Sequence, residues 1–268
     1  MSTSELHLKT DAVHLPDFTM DYFTFGTGPK PLVIIPGMSV RSILLSAEAV
    51  ANGYAAYADE FTVYVLDYRR DLPIGFTVRE MARDAAAALR QLGVRDAAVM
   101  GTSLGGMIAQ YLAIDAPELV GRLALGATLP RHTKRSRQVF VEWAYLARAG
   151  ERHALQRDIA RRVYSPDFVK KFQAAFDLQE GGFTPEDMER YARLSEACMG
   201  FSSYDELGRV ACPVLVIGSW RDRTLFPEGS LALAKRLRCD LHMYAGYSHA
   251  VYDEAPDYRQ RVIGFFLN

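Results

Sequence analysis

The chain has 268 residues, of which 49% are hydrophobic and 24% are charged. This composition supports a large hydrophobic core and excludes a chain that is disordered over most of its length. The length accommodates one large α/β domain or two small ones. The formal net charge is −1, which argues against a nucleic-acid partner because such a partner requires a basic surface.

Three cysteines, Cys198, Cys212 and Cys239, lie far apart in the second half of the chain. Their odd number and wide spacing predict free thiols in a reducing compartment and not a disulfide framework. The N-terminus has no basic region followed by an apolar stretch, so no secretory signal is expected. No apolar run is long enough to span a membrane. We therefore predict a soluble, cytoplasmic protein with no membrane partner.

Short apolar runs alternate with helical patterns along the chain. This alternation is typical of an α/β fold, with a mostly parallel sheet and helices on both of its faces. Strands are predicted at residues 22–25, 32–35, 61–66, 97–100, 122–125, 214–217 and 240–244. The turn sequence Gly26-Thr27-Gly28-Pro29 predicts that the first two of these strands form an antiparallel pair.

Two helices of the core are marked by the residues at their ends. Thr77 and Glu80 have the spacing of a capping box, and Gly93 is placed to end the helix that follows. A second helix is predicted to begin near Gly106 and to stop before Pro117. Both helices follow predicted strands, as the alternating pattern requires.

Residues 130–208 are helical in pattern and contain no convincing strand. We interpret this segment as a helical lid inserted between strands of a core formed by residues 1–129 and 209–268. Ligands of open α/β sheets bind at the carboxyl ends of the strands, where such a lid would lie. The candidate substrate-binding side chains of the lid are Phe140, Trp143 and Tyr145. Ordinary packing helices are the alternative.

The sequence Gly101-Thr102-Ser103-Leu104-Gly105 lies between a predicted strand and a predicted helix. A serine at such a turn is exposed at the edge of the sheet, with a helix N-terminus behind it. Glycine on either side removes Cβ atoms that would clash with neighbouring backbone. The pattern predicts a serine nucleophile for acyl transfer. A tight glycine turn without a catalytic role is the alternative.

A serine nucleophile needs a base that takes its proton. Among the six histidines, His249 lies in a loop just after the last predicted strand, at the same sheet edge as Ser103. The others lie before the core sheet, in the lid or inside that strand, and are His7, His14, His132, His153 and His242. The position relative to Ser103 therefore favours His249 as the base.

The base needs an acid that fixes its tautomer and stabilises the imidazolium. Asp222 follows the strand predicted at 214–217, so it also lies at the carboxyl end of a strand. We interpret Asp222 as this acid, with capping of the next helix as the alternative role. The chain order Ser103, Asp222, His249 is the order found in hydrolases with this type of nucleophile turn.

Two backbone amides are expected to stabilise the oxyanion of the tetrahedral intermediate. One is the N–H of Leu104, directly after the nucleophile. The other is the N–H of Met38 in the loop Pro36-Gly37-Met38, where Gly37 permits close approach and an ordinary turn is the alternative. The sequence has no zinc-type histidine spacing, phosphate-binding glycine loop or dinucleotide fingerprint, so no metal and no cofactor are predicted.

These motifs resemble the α/β-hydrolase superfamily over nearly the full chain, and most of all its small bacterial, lid-bearing esterase, lactonase and haloperoxidase branch. The likeness is carried by GTGPKPLVIIPGMS, TVREMARDAAAALRQLGVRDAAVMGTSLGGMIAQYLAIDAPELVGRLAL, PVLVIGSWRD and GYSHAVYDEAP. The chain has Pro36 where many relatives have histidine, and Arg70 where a glycine is common. Ser103 distinguishes it from haloalkane dehalogenases and epoxide hydrolases, which use a carboxylate nucleophile.

The sequence thus predicts a serine hydrolase that forms an acyl-enzyme on a small carboxylic ester, thioester or lactone. In a second hypothesis the same triad serves carbon–carbon bond hydrolysis, amide cleavage or perhydrolysis, because function resides in the site and not in the fold. A third hypothesis is a non-enzymatic protein that binds a small ligand on a hydrolase scaffold. The predicted partner is a small-molecule substrate, and a homodimer through the lid is left open.

Overall fold

The computed structural model describes residues 6–268. Its strands are β1 (Lys9–His14), β2 (Thr19–Phe25), β3 (Lys30–Ile35), β4 (Phe61–Arg69), β5 (Ala97–Thr102), β6 (Val120–Gly126), β7 (Val214–Ser219) and β8 (Asp240–Tyr244). They form one sheet in the order β1-β2-β4-β3-β5-β6-β7-β8. β2 is antiparallel to β1 and β4, and all the other pairs are parallel. The predicted, mostly parallel sheet is confirmed.

The predicted antiparallel pairing of β2 with β3 is wrong, because β4 lies between the two strands. The linker between them crosses the segment that leads into β4, where the N–H groups of Thr27 and Gly28 donate to Ala58 O at 3.0 and 3.3 Å. A Cβ at Gly28 would lie 2.0 Å from the backbone N of Phe61, so only glycine allows this crossing. The glycines of this linker therefore allow the chain to cross the segment that leads into β4 and do not form a hairpin turn.

Helices cover both faces of the sheet, as predicted. They are α1 (Ala47–Gly53), α2 (Val78–Gln91), α3 (Leu104–Asp115), α4 (Lys134–Arg148), α5 (Arg152–Val163), α6 (Pro166–Gly181), α7 (Pro185–Met199), α8 (Pro227–Leu237), α9 (Val251–Glu254) and α10 (Tyr258–Leu267). α2 and α3 belong to the hydrophobic cluster on one face, and α1 and α10 belong to the cluster on the other. Among residues 6–268, every helix is too short or too polar to traverse a lipid bilayer.

The bounds of α2 follow from local chemistry. Thr77 Oγ1 accepts the N–H of Glu80 at 3.2 Å, and Glu80 Oε2 accepts the N–H of Thr77 at 2.8 Å, which completes the predicted capping box. The apolar side chains of Val78, Met81 and Leu89 are buried against the sheet. Gly93 follows the helix with a φ of 71°, a conformation that costs glycine little.

The segment between β6 and β7 folds into the helices α4 to α7, which lie within residues 130–208. The name lid is kept for these residues, and their covering role stays a prediction. α4 and α7 pack together through Trp143 and Tyr191, whose ring centroids are 6.1 Å apart. Both rings belong to the hydrophobic cluster that contains α3, so the core of the lid is continuous with that of the sheet. α6 buries none of its side chains. Cys198 of α7 and the two other cysteines are free thiols, as predicted.

Candidate active site

Ser103 occupies the turn between β5 and α3 in a backbone conformation that residues other than glycine rarely adopt. Its φ and ψ are 53° and −119°, and such strain persists only where the surrounding structure holds it. The N–H of Ser103 donates to Gly126 O at 2.9 Å, and the Thr128 hydroxyl donates to Ser103 O at 2.8 Å. Both polar groups of the Ser103 backbone are therefore fixed to the end of β6.

The glycines around Ser103 allow α3 to approach the sheet closely. A Cβ at Gly105 would lie 1.9 Å from Ile35 O, and a Cβ at Gly101 would lie 2.5 Å from Gly105 O. Real Cβ atoms do not approach other atoms so closely, so a side chain at either position would push α3 away from β3 and β5. The expected role of glycine on either side of Ser103 is confirmed.

His249 and Asp222 form a buried pair after the ends of β8 and β7. The Nδ1 atom of His249 lies 2.8 Å from Asp222 Oδ2, and the exposed fractions of the two residues are 2% and 4%. Asp222 Oδ1 accepts the N–H groups of Thr224 and Leu225 at 2.8 and 2.9 Å. One oxygen of the carboxylate therefore orients the imidazole, while the following turn holds the other.

The contacts of Asp222 keep its carboxylate charged. Burial by itself raises the pKa of this carboxyl group, but the attraction of His249 and the hydrogen bonds from His249 and the turn outweigh burial. The pKa of Asp222 consequently lies below its ordinary value. A charged acid at this place favours the imidazole tautomer with its proton on Nδ1, which leaves Nε2 free to accept a proton.

The loop that carries His249 is bonded to the lid. The N–H of Ala250 donates to Val163 O at 2.8 Å. Glu254 accepts the N–H of Ser165 at 2.9 Å and also accepts the hydroxyl of Ser165. Val163 and Ser165 lie at the junction between α5 and α6, so this junction and the histidine loop form one hydrogen-bonded unit.

The loop after β3 lies directly against the serine turn. A Cβ at Gly37 would be 3.2 Å from the Cβ of Ser103. The hydroxyl of Tyr68 donates to Pro36 O at 3.0 Å and supports the loop from β4. The absence of a side chain at position 37 therefore lets this loop approach the serine closely, as the sequence predicts.

The two predicted oxyanion donors belong to these two segments. Leu104 is the first residue of α3, and an N–H at this position has no partner within the helix. Met38 lines the same cavity as Ser103, and its sulfur accepts the Ser195 hydroxyl of α7 at 3.8 Å. The hydroxyl of Ser39, a further candidate donor, is instead donated to Arg41 O at 2.6 Å.

Ser103 and His249 both line a cavity of about 500 Å³ that extends between the sheet and the lid. Trp143 of α4 also lines it, and most of the remaining wall is apolar. Within residues 6–268, no group of three or more His, Cys, Asp or Glu side chains is arranged to hold a metal ion. The cavity therefore offers a serine and an imidazole in a largely apolar space.

The other two lid aromatics of the predicted substrate-binding set lie outside the cavity wall. Phe140 is buried, with its ring centroid 5.2 Å from that of His132 and 5.5 Å from that of Trp143. Tyr145 is 71% exposed. Successive helical residues are rotated by about 100°, so Trp143 and Tyr145 face nearly opposite directions. Of the three predicted side chains, Trp143 lines the cavity, and the prediction that Phe140 and Tyr145 face it is wrong.

An ion pair that the sequence did not reveal joins the lid to the cavity wall. Arg190 of α7 donates to Asp67 Oδ1 at 2.7 Å and to Ser39 O at 3.3 Å. The Ser42 hydroxyl donates to Asp67 Oδ2 at 2.5 Å. Asp67 lies near the carboxyl end of β4, and a carboxylate directly after the apolar run 63–66 is the signal that could have identified Asp67.

The chain matches known proteins over most of its length. The profile of the alpha/beta hydrolase family matches residues 32–258. The chain is 24% identical over 221 residues to 3-oxoadipate enol-lactonase 2 of Acinetobacter baylyi, which covers 81% of this chain and 80% of the lactonase. It is 28% identical over 253 residues to pyrrolizixenacetamide deacetylase of Xenorhabdus hominickii, which covers 91% of this chain and 93% of the deacetylase.

Solved structures share the whole fold. MGS-M2, an alpha/beta hydrolase enzyme from a Medee basin deep-sea metagenome library, superposes with a TM-score of 0.85 at 20% identity, over 96% of this chain and 98% of the other. The enol-lactonase from Burkholderia xenovorans superposes with a TM-score of 0.83 at 21% identity, over 96% and 100%. The resemblance seen in the sequence is confirmed: the chain belongs to the alpha/beta hydrolase family and is an enzyme of the hydrolase class.

Proposed function

We propose that the protein is a serine hydrolase in which Ser103, Asp222 and His249 form the catalytic triad. The proposed substrate is a small carboxylic ester, thioester or lactone, which passes through an acyl-enzyme. The observation that carries this proposal is the buried contact of 2.8 Å between Asp222 and His249. His249 lines the same cavity as the strained Ser103.

In the proposed reaction, Ser103 Oγ attacks the carbonyl carbon while His249 Nε2 takes the hydroxyl proton. The negative charge on the carbonyl oxygen is stabilised by the N–H groups of Met38 and Leu104. His249 then gives the proton to the leaving oxygen or sulfur, and the carbon–oxygen or carbon–sulfur bond breaks. A water molecule, deprotonated by His249, attacks the acyl-enzyme and releases the acid with the Ser103 hydroxyl restored.

The size and the chemistry of the cavity support a small, largely apolar substrate. Its volume is about 500 Å³, within the range of pockets that enclose small ligands. Trp143 is the proposed contact from the lid. The names of the enol-lactonase and deacetylase relatives support cleavage of a carbonyl–heteroatom bond, so an amide belongs in the substrate panel beside the esters.

Labelling with a fluorophosphonate probe tests the triad. The probe should modify the wild type, and peptide mass spectrometry should place it on Ser103. Ser103→Ala should remove labelling and His249→Ala should nearly remove it, whereas His242→Ala should leave it intact because His242 lies inside β8. Labelling that persists in Ser103→Ala, or a wild type that is neither labelled nor active on esters, thioesters and lactones, would overturn the proposal.

A further inference from the structure

A carboxylate that has no role in the proposed triad lines the cavity that contains Ser103 and His249. Asp253 of α9 lies four residues after His249 and is among the residues that form the cavity wall. Within residues 6–268, the Asp253 carboxylate accepts no hydrogen bond of 3.5 Å or less and has no ion-pair partner within 4.0 Å. The two carboxylates that follow it in the sequence do have partners. Glu254 accepts a hydrogen bond from Ser165, and Asp257 accepts hydrogen bonds from Tyr244 and Arg261.

Cations lie near Asp253, but none pairs with it. The guanidinium of Arg259 in α10 packs over the ring of Tyr54, with 5.0 Å from its Cζ to the ring centroid. Arg41 lines the cavity, but its guanidinium is directed to Asp187 at 3.9 Å and to the Gly182 end of α6. The negative charge of Asp253 is therefore left without a direct counter-charge in an apolar space.

Three tyrosines line the same cavity as Asp253. Tyr54, Tyr164 and Tyr252 all line it, and they come from the end of α1, the end of α5 and α9. The charge of Asp253 raises the pKa of all three hydroxyls in addition to the effect of burial, so these tyrosines stay neutral and lie close to the carboxylate. Neutral aromatic rings attract cations through their electron-rich faces.

An isolated carboxylate in an apolar wall is costly unless something compensates it. Burial raises the pKa of Asp253 to about 6, with partial opposition from Arg259, so the group is ionised at neutral pH. His249, Glu254 and Arg259 are the other charged or titratable groups that influence it. The natural complement of one carboxylate among tyrosine rings is a compact organic cation.

We propose that Asp253, together with Tyr54, Tyr164 and Tyr252, forms a subsite for an alkylammonium group of the substrate. This inference rests on the proposed esterase function and specifies its substrate class as esters that carry a cationic amine. Asp253 is then a specificity-determining residue. It selects the charge of the substrate, while Ser103 and His249 carry out the reaction.

Two esters of equal shape separate this role from a structural one. Butanoylcholine carries a trimethylammonium group, and 3,3-dimethylbutyl butanoate has a neutral carbon in place of its nitrogen. We expect kcat/KM of the wild type at pH 7.5 to be about tenfold higher for the cationic ester. In Asp253→Asn this ratio should fall to about one, while kcat/KM for the neutral ester changes by less than about twofold.

Asp257→Asn is the matched control, since it removes the same charge from an exposed position of the adjoining turn. It should keep the tenfold ratio. In the wild type, the kcat/KM ratio should also decline below pH 6, because protonation removes the charge of Asp253. In Asp253→Asn the ratio should not change with pH. A kcat/KM ratio near one in the wild type would overturn the proposal. An undiminished ratio in Asp253→Asn would also overturn it, because an equal loss of kcat/KM on both esters indicates only a structural role.

Binding without turnover tests the subsite even if the proposed esterase function fails. Calorimetric titration with phenyltrimethylammonium should give a Kd about tenfold weaker for Asp253→Asn than for the wild type. An unchanged Kd, or no binding to the wild type, would refute the cation subsite. If the wild type does not turn over esters but binds phenyltrimethylammonium in a way that depends on Asp253, only the triad proposal would be refuted.

Discussion

The guanidinium of Arg190 lies 2.7 Å from the carboxylate of Asp67, although 123 residues separate them in the chain. The pair joins α7 of the lid to β4 of the core, and the Asp67 side chain is only 4% exposed. Asp67 also accepts the hydroxyl of Ser42, which lines the cavity. One carboxylate therefore contacts both α7 and a residue of the cavity wall.

Arg190→Met should destabilise the protein, because it leaves the charge of Asp67 buried without a counter-ion. We expect the free energy of unfolding in urea to fall by about 3 kcal/mol. The double variant Asp67→Asn, Arg190→Met should be less destabilised than Arg190→Met, since it no longer buries a lone charge. Arg90→Met, which breaks an exposed pair with Glu118, should cost less than about 1 kcal/mol. A double variant at least as unstable as Arg190→Met would contradict this account.

Asp222→Asn should abolish most of the activity while the fold is retained. The Asn side chain can still accept the N–H groups of Thr224 and Leu225, but it presents an amide N–H to His249 Nδ1. His249 then carries its proton on Nε2 and cannot accept one from Ser103. In an ester assay at neutral pH, kcat should fall by about 10⁴-fold. A loss of less than tenfold in a folded variant would mean that Asp222 does not fix the tautomer of His249.

Much of the fold was predictable because local chemistry determines it. The buried runs of β3 and β7 and the capping box at Thr77 each mark an element without reference to distant residues. The candidate triad could be proposed because a parallel sheet brings the carboxyl ends of its strands to one edge. The assignment of Ser103, Asp222 and His249 to catalysis stays a prediction until the labelling experiment is done.

The remaining features depend on contacts between distant parts of the chain. The linker at Gly28 has the composition of a hairpin turn, and only the position of β4 beside β2 excludes that pairing. The direction of a lid side chain depends on how α4 is rotated about its axis. Trp143 consequently lines the cavity while Tyr145 is exposed, although both are aromatic. Asp67 stands out as a carboxylate beside the apolar residues of β4, but nothing near it in the sequence identifies Arg190 as its partner.

The strain at Ser103 predicts an unusual order of stability among inactive variants. A φ of 53° with a ψ of −119° is accessible to glycine but strained for a residue with a Cβ. Ser103→Gly relieves this strain, whereas Ser103→Ala retains it. Relief of the strain should exceed the extra entropy of glycine in the unfolded chain, so Ser103→Gly should be more stable by about 1 kcal/mol. Equal urea midpoints, or a more stable alanine variant, would argue against a strained nucleophile turn.

Asp253 should make the stability of the wild type depend on pH in a way that Asp253→Asn does not share. Burial raises the pKa of this carboxyl from 3.8 to about 6, so between these values the folded state binds more protons than the unfolded state. The contribution of Asp253 to stability is then greatest below pH 4 and falls as the pH rises through 6.

Urea unfolding of both proteins at pH 4 and pH 7.5 measures this effect, and the asparagine variant cancels the contributions of all other groups. The stability of the wild type relative to Asp253→Asn should decrease by roughly 2 kcal/mol between the two pH values. A constant difference would mean that Asp253 ionises as readily in the fold as in water. In that case the carboxylate would not be held in an apolar wall, and the physical basis for its selection of cations would be lost.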